Sequence, residues 1–138
     1  MVTEYNQKPG YGTQPSVIRG GDFLFITHRC GRRNPETGEK NTTIETQTIQ
    51  CLKKMKKFLE EAGASFDDLT QITVLLANEK DVQAMNDAYF SYFHDKYPAR
   101  TLIITPLFQP EMLIQMGGIA YHPLSEKSKP AVKTAKKG

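Results

Sequence analysis

TTIETQTIQCLKKMKKFLEEAG at residues 42–63, followed closely by QITVLLA at residues 71–77, decides the fold. In the first segment Ile49, Leu52, Met55, Leu59 and Ala62 recur at steps of three and four, the spacing of one helix face. Thr42-Thr43-Ile44-Glu45 has the form of a capping box, in which a Thr hydroxyl and a Glu three residues on satisfy two free amides. Gly63 stands where such a helix ends. Lys53, Lys54, Lys56, Lys57, Glu60 and Glu61 form the opposite, solvated face. QITVLLA, by contrast, is β-branched and shows little polar alternation. A strand without a clean wet face is covered on both sides or lies inside its sheet.

Outward from this pair the pattern repeats. Asn78-Glu79-Lys80-Asp81 resembles a second helix start. Val82, Met85, Tyr89, Tyr92 and Phe93 keep helical spacing to about His94, and Pro98 stops the helix. Thr101–Thr105 and Leu113–Tyr121 are β-branched or apolar runs, with Pro106 and Pro110 in the loop between them. Upstream, Ser16–Arg19, Gly20-Gly21-Asp22 and Phe23–His28 read as strand, turn and strand, and Asn34-Pro35-Glu36-Thr37-Gly38-Glu39 as a loop. Residues 1–15, with Pro9, Gly10, Gly12 and Pro15, are expected to form an irregular arm. The order β-β-α-β-α-β-β describes an α/β (α+β) domain over residues 1–124: a mixed sheet with two helices packed on one face. Something else must cover the other face, and a second subunit is the expected cover.

The chain has 138 residues and a net charge of +3. The tail 125–138 carries five lysines against Glu126, while the body holds 13 basic and 14 acidic side chains. This is a near-neutral domain with a lysine-rich tail that is expected to be disordered. No apolar run approaches the roughly 18 residues of a membrane span. The N-terminus lacks a basic patch followed by an apolar core, so no secretory signal is expected. Cys30 and Cys51 are too few for a disulfide framework and fit no zinc spacing. A cytoplasmic location is the resulting expectation. The lysines at 53–57 have no interleaved aromatic residues, and no RNA-binding signature is present.

There is no GxSxG, HExxH, P-loop or GxGxxG. The informative residue is Arg100 in Tyr97-Pro98-Ala99-Arg100-Thr101, where a loop enters a strand. A guanidinium fixed there presents a planar fork that matches a carboxylate, or it serves a structural ion pair.

The chain as a whole resembles the RidA/YjgF family of reactive-imine deaminases. The resemblance rests on Gly20–Thr27, Asn34–Glu39, Ala62-Gly63-Ala64, Asp68-Leu69, the strand at 72–76, Met85–Phe93, Pro98-Ala99-Arg100-Thr101 and Ile119-Ala120. It implies a chorismate-mutase-like fold and a homotrimer with clefts between subunits. It also implies hydrolysis of small imine or enamine acids (2-iminobutanoate or 2-aminoacrylate types) to keto acids and ammonia, with no metal or organic cofactor. Neither a specific nucleic acid nor a membrane is an expected partner.

Carried over by position, Arg100 falls on the arginine that binds the substrate carboxylate, and Asn86 on a frequent asparagine of the second helix. Gln115 stands where deaminating members have a glutamate that positions the attacking water, and Ser16 where they have a tyrosine. His28 and Cys30 occupy strand-end positions that usually hold a serine and a small or polar residue. Leu102 replaces a cysteine. An amide at 115 orients water but cannot take its proton, and loss of one acid/base group costs on the order of 10²–10⁴ in rate. Either His28 or Cys30 supplies the missing chemistry, or the cleft binds carboxylates without turnover. Both side chains also have ordinary structural readings. Arg29, with Arg32 and Arg33, can widen the anion site toward a dicarboxylate of the aminomuconate type, or form a solvated loop. An endoribonuclease or translation-inhibitor role, suggested by older family names, is the least favoured alternative on this near-neutral body.

Overall fold

Burial alternates along the strands, and that alternation separates a core face of the sheet from an open one. The computed structural model describes residues 2–5, as backbone, and residues 15–124. The strands are β1 (Val2–Tyr5), β2 (Val17–Gly20), β3 (Phe23–Cys30), β4 (Leu69–Leu76), β5 (Ala99–Ile104) and β6 (Ile114–Tyr121), and the helices are α1 (Ile44–Glu61) and α2 (Val82–Tyr92). They form one six-stranded sheet in the order β1-β2-β3-β6-β4-β5. β4 and β5 pair in parallel through the α2 crossover; all other neighbours are antiparallel. The expected class, mixed sheet and element order are observed, with one additional strand.

That strand is β1. Residues 2–5 were expected in the irregular arm, yet they pair antiparallel with β2. Val2-Thr3-Glu4-Tyr5 suits an extended edge, and its amides satisfy the outer rim of β2, which a four-residue strand would otherwise leave bare. The rest of the arm and the lysine tail lie outside the described residues.

On the core face Leu24, Ile26, Ile72, Val74, Leu76, Ile114 and Met116 meet Leu52, Met55 and Leu59 of α1 and Met85 and Tyr89 of α2, all buried. β4 lies between β6 and β5, which explains its lack of polar alternation. The α1 cap is shifted by one residue from the expected box. Thr43, not Thr42, is the N-cap, and it closes a capping box with Thr46 rather than with Glu45. The buried stripe also differs: Cys51, Gln47 and Thr48 are buried, while Ile49 is only half-buried. Asn78 makes no side-chain cap; a 3-10 turn at Glu79–Asp81 leads into α2 instead. Phe93 turns extended and ends α2 at Tyr92, short of the expected His94. β5 begins at Ala99, directly after Pro98, because Ala99 already pairs with Gln71.

Candidate active site

The open face carries the first group of candidate residues. Between Ile26 and Arg29 the β3–β6 register shifts, so one extra β3 residue is accommodated opposite Gly117. Beyond that bulge Arg29 faces Met116 and Cys30 faces Gln115. Met116 belongs to the core. Alternation therefore places Cys30 and Gln115 together on the open face and sends Arg29 to the other side. His28 shares the open face, because a Cβ on Gly117 would lie 2.8 Å from its Nδ1. The imidazole rests over a residue that has to be glycine for it to fit. Beyond the bulge, alternation sets His28 and Cys30 on one face and Arg29 on the other, and the register adds Gln115 to the first pair.

These groups differ in what they can do. Gln115 directs its amide nitrogen at the sulfur of Met112, 3.5 Å away, and no described residue donates to its side-chain oxygen. Burial pushes the His28 imidazole below its ordinary value of 6.5, so at neutral pH the ring is mainly neutral and able to accept a proton. Burial alone would raise the Cys30 thiol. Hydrogen bonding from Arg32 and the positive charges of Lys54 and Arg32 outweigh it and bring the thiol below 9.0. Lys54 also anchors the end of β3, donating to the Cys30 carbonyl at 2.7 Å. Cys51 is the opposite case: fully buried on α1, its thiol is pushed up to about 12 and donates to the Arg29 carbonyl at 3.4 Å. It packs and takes no part in chemistry.

Arg29 meets a different candidate. Its guanidinium reaches the hydroxyl of Ser16 at 3.5 Å, and Ser16 is buried at the start of β2. These two form a second group.

Arg100 anchors the third, against α2, the helix that also carries Asn86. Arg100 stands beside Ile72 in the β4–β5 ladder, so it leaves the edge strand on the helix side. Its guanidinium carbon lies 4.7 Å from the Tyr89 ring centre and 5.3 Å from that of Phe90. One amino group points at the Met85 sulfur, 3.9 Å away. Among the described residues no carboxylate pairs with it. Burial raises the Tyr89 hydroxyl to about 12, against the pull of Arg100, so the ring stays neutral beneath the cation. Asn86 sits one turn before Phe90 on α2, and its side-chain oxygen is buried without a partner.

Within one chain these groups do not converge. Gln115 aligns with Leu75 and, through it, with Ile103. Arg100 is thus two strands and three residues away, about 14 Å at ~4.8 Å per strand and ~3.3 Å per residue, on the opposite face. Arg32 is a candidate cation for Cys30 from its nearness in sequence, but sequence reading missed the aromatic bed of Tyr89 and Phe90, and Lys54 as the second cation near Cys30. Tyr89 enters the sequence reading only through the helical spacing of α2 and the Met85–Phe93 resemblance. Nothing in the local sequence links residue 54 to residue 30; they meet because α1 packs across β3. Among the described residues no cluster of three or more His, Cys, Asp or Glu could hold a metal ion, and no helix is long and apolar enough to cross a membrane.

Comparison with known proteins agrees with this architecture. Residues 10–122 match the family described as endoribonuclease L-PSP. A RutC family protein of Pyrococcus abyssi is 37% identical over 122 residues, which cover 88% of this chain and 94% of the relative. The chloroplastic Reactive Intermediate Deaminase A of Arabidopsis thaliana is 32% identical over 102 residues, 73% of this chain and 54% of the relative. Yeast Mmf1 has the same fold, with a TM-score of 0.78 at 20% identity over 88% of this chain and 99% of that one. So does the Escherichia coli YjgF gene product, with a TM-score of 0.75 at 24% identity over 84% and 93%. With the family match spanning both the bulged β3 of Cys30 and the Arg100 strand, this chain is a member of the RidA/YjgF superfamily.

Proposed function

We propose that the protein hydrolyses small imine or enamine acids to keto acids and ammonia in the cytoplasm, in clefts formed where copies of the chain meet. The observation that carries this reading is the Arg100 guanidinium: within 4.7 and 5.3 Å of the Tyr89 and Phe90 ring centres, partly exposed, and without an acidic neighbour among the described residues. Its fork remains available for a carboxylate. The separation of Arg100 from His28, Cys30 and Gln115 supports assembly, because only an adjoining copy can bring the two groups to one substrate. The open face is suited to such contact. Phe23, Phe25 and Tyr121 lie on it at 42%, 49% and 46% exposure, far more apolar surface than a solvated sheet face normally shows. A homotrimer is the assembly this reading expects.

In the proposed reaction Arg100 holds the carboxylate and the imine carbon is the electrophile. The Gln115 side-chain oxygen accepts a hydrogen bond from water and orients it. The neutral His28 imidazole takes the proton as the water oxygen bonds to carbon. Returning that proton to the nitrogen gives the carbinolamine; His28 then takes the hydroxyl proton and hands it to the amino group as the C–N bond breaks, releasing ammonia and leaving the C=O of the keto acid. Proton balance closes within His28 and substrate. The test couples an amino-acid oxidase to this protein and follows imine decay against the spontaneous rate. Acceleration that disappears in Arg100→Ala supports the reading; no acceleration by the wild type refutes it.

One observation favours a second reading. An amide at 115, contacting a thioether and no base, is suited to holding a bound carboxylate without turnover. Saturable binding of 2-oxobutyrate with no imine turnover would decide for this alternative.

A further inference from the structure

We propose that the cavity between the β3–α1 loop and the loop before β6 is a second binding site, for the phosphate group of a small phosphorylated molecule. It encloses about 280 Å³ and is lined by Arg32, Arg33, Lys40, Thr42, Glu111 and neighbouring residues. It shares no lining residue with the Arg100 region.

Three features make it a built site. First, Arg33 and Lys40 are paired across an antiparallel bridge, which sets two positive charges on directly opposite residues. Like charges so placed repel. The loop's own acids do not relieve them, for Glu36 and Glu39 form no ion pair with either. The hairpin is nevertheless held closed by backbone bonds from Asn34 to Glu39 at 2.9 Å and from Asn41 to Arg32 at 2.7 Å. Both side chains are exposed and Arg33 also donates to the Gly38 carbonyl at 3.1 Å, so this wall of the cavity carries two cations that an anion between them would relieve.

Second, the third cation is incompletely satisfied. Arg32 meets Glu111 at 3.2 Å through one terminal nitrogen and also hydrogen-bonds the Cys30 thiol, while its buried Nε has no partner. Glu111 is exposed, so its carboxylate serves as an internal stand-in that a better anion can displace. With Arg32, Arg33 and Lys40 against Glu111 alone, the lining carries a net charge of +2.

Third, the walls are rigid. Gln47, 1% exposed, donates to the carbonyls of Asn41 and Glu111 at 2.9 and 3.0 Å and accepts from the Leu113 amide at 3.0 Å. It ties both loops to α1. Gly31 at the loop's entry packs so closely that a Cβ would lie 2.1 Å from the Gln47 carbonyl oxygen. The backbone that carries the cations is therefore held in place before any ligand arrives. Three cations lining one cavity beside Thr42 match a compact dianion with several acceptor oxygens, which is a phosphate rather than a single carboxylate.

The test is a titration of the full chain with inorganic phosphate, followed by amide chemical shifts, with acetate at equal ionic strength as control. Saturable shifts at residues 32–42 with phosphate, and none with acetate, are expected. Lys40→Gln and Arg33→Gln, at exposed positions that should not disturb folding, are each expected to weaken binding ~10-fold, the loss of one charge-assisted bond. Glu111→Gln is expected to tighten it by freeing Arg32. A phosphomonoester that binds more tightly than inorganic phosphate identifies an ester as the ligand, and equal affinity assigns the site to phosphate itself. Equal responses to phosphate and acetate, or unchanged affinity in Lys40→Gln, overturn the proposal.

Discussion

Replacing Gln47 by leucine tests whether a single buried amide holds the two loops above α1. The side chain is 1% exposed and uses both amide hydrogens and its oxygen, at 2.9, 3.0 and 3.0 Å. Leucine is of similar size, so little cavity forms and the loss is chiefly of hydrogen bonds. Each is worth about 1 kcal/mol net, giving ~3 kcal/mol, reduced to about 2–3 because the Asn41 and Glu111 carbonyls lie near water and leucine adds apolar burial. For a domain of this size that corresponds to a fall in Tm of about 6–10 °C. Urea unfolding followed by circular dichroism measures it: the midpoint should drop with an unchanged slope. Gln50 supplies the control. It is similarly buried at 8% exposure but makes no side-chain hydrogen bond among the described residues, so Gln50→Leu should change stability by less than about 0.5 kcal/mol. If Gln47→Leu costs under ~1 kcal/mol, or no more than Gln50→Leu, the tethering role is wrong.

Three further outcomes are expected. Arg100→Lys keeps a charge near Tyr89 and Phe90 but loses the fork, so kcat/KM for imine hydrolysis should fall ~10–100-fold while Tm changes little; equal activity would remove the bidentate role. Gln115→Glu introduces a carboxylate beside the site of water attack, and imine turnover should rise by about 10² or more; a rate unchanged from wild type would show that residue 115 does not face the water. Iodoacetamide labelling, read by mass spectrometry against pH, should modify Cys30 with a midpoint below 9.0. The sign follows from the thiolate being the nucleophile: Arg32 and Lys54 favour it, so labelling sets in at lower pH than for an ordinary thiol. Cys51, buried and pushed up to about 12, should remain unlabelled until urea unfolds the chain.

Much of the fold was legible because its signals are local. The step of three and four through Leu52, Met55 and Leu59 is a property of a helix laid on a flat apolar surface, and it appears in the core as expected. The unbroken apolar character of β4 announced an interior strand, and β4 lies between β6 and β5. What failed was also local in origin. Two adjacent threonines offered two cap positions one residue apart, and the choice of Thr43 is decided by where α1 must begin so that Ile44 and Thr48 reach the sheet. β1 was invisible because four residues of edge strand gain their stability from β2 rather than from any pattern of their own.

The candidate site divides along the same line. Strand alternation is enough to put His28 and Cys30 on one side and Arg29 on the other, but only the bulge opposite Gly117 turns that side away from the core face of Leu24 and Ile26. The sequence by itself determined the helices, the sheet strands other than β1 and the arginine at the mouth of β5, each from periodicity or composition within a short window. Only tertiary structure decided that Lys54 and Arg32 bracket Cys30, that Arg100 lies on Tyr89 and Phe90, and that Arg100 and Gln115 stand on opposite faces of the sheet. Those relations depend on packing between segments distant in sequence, where the register of a strand and the crossing of a helix set distances that no local pattern encodes.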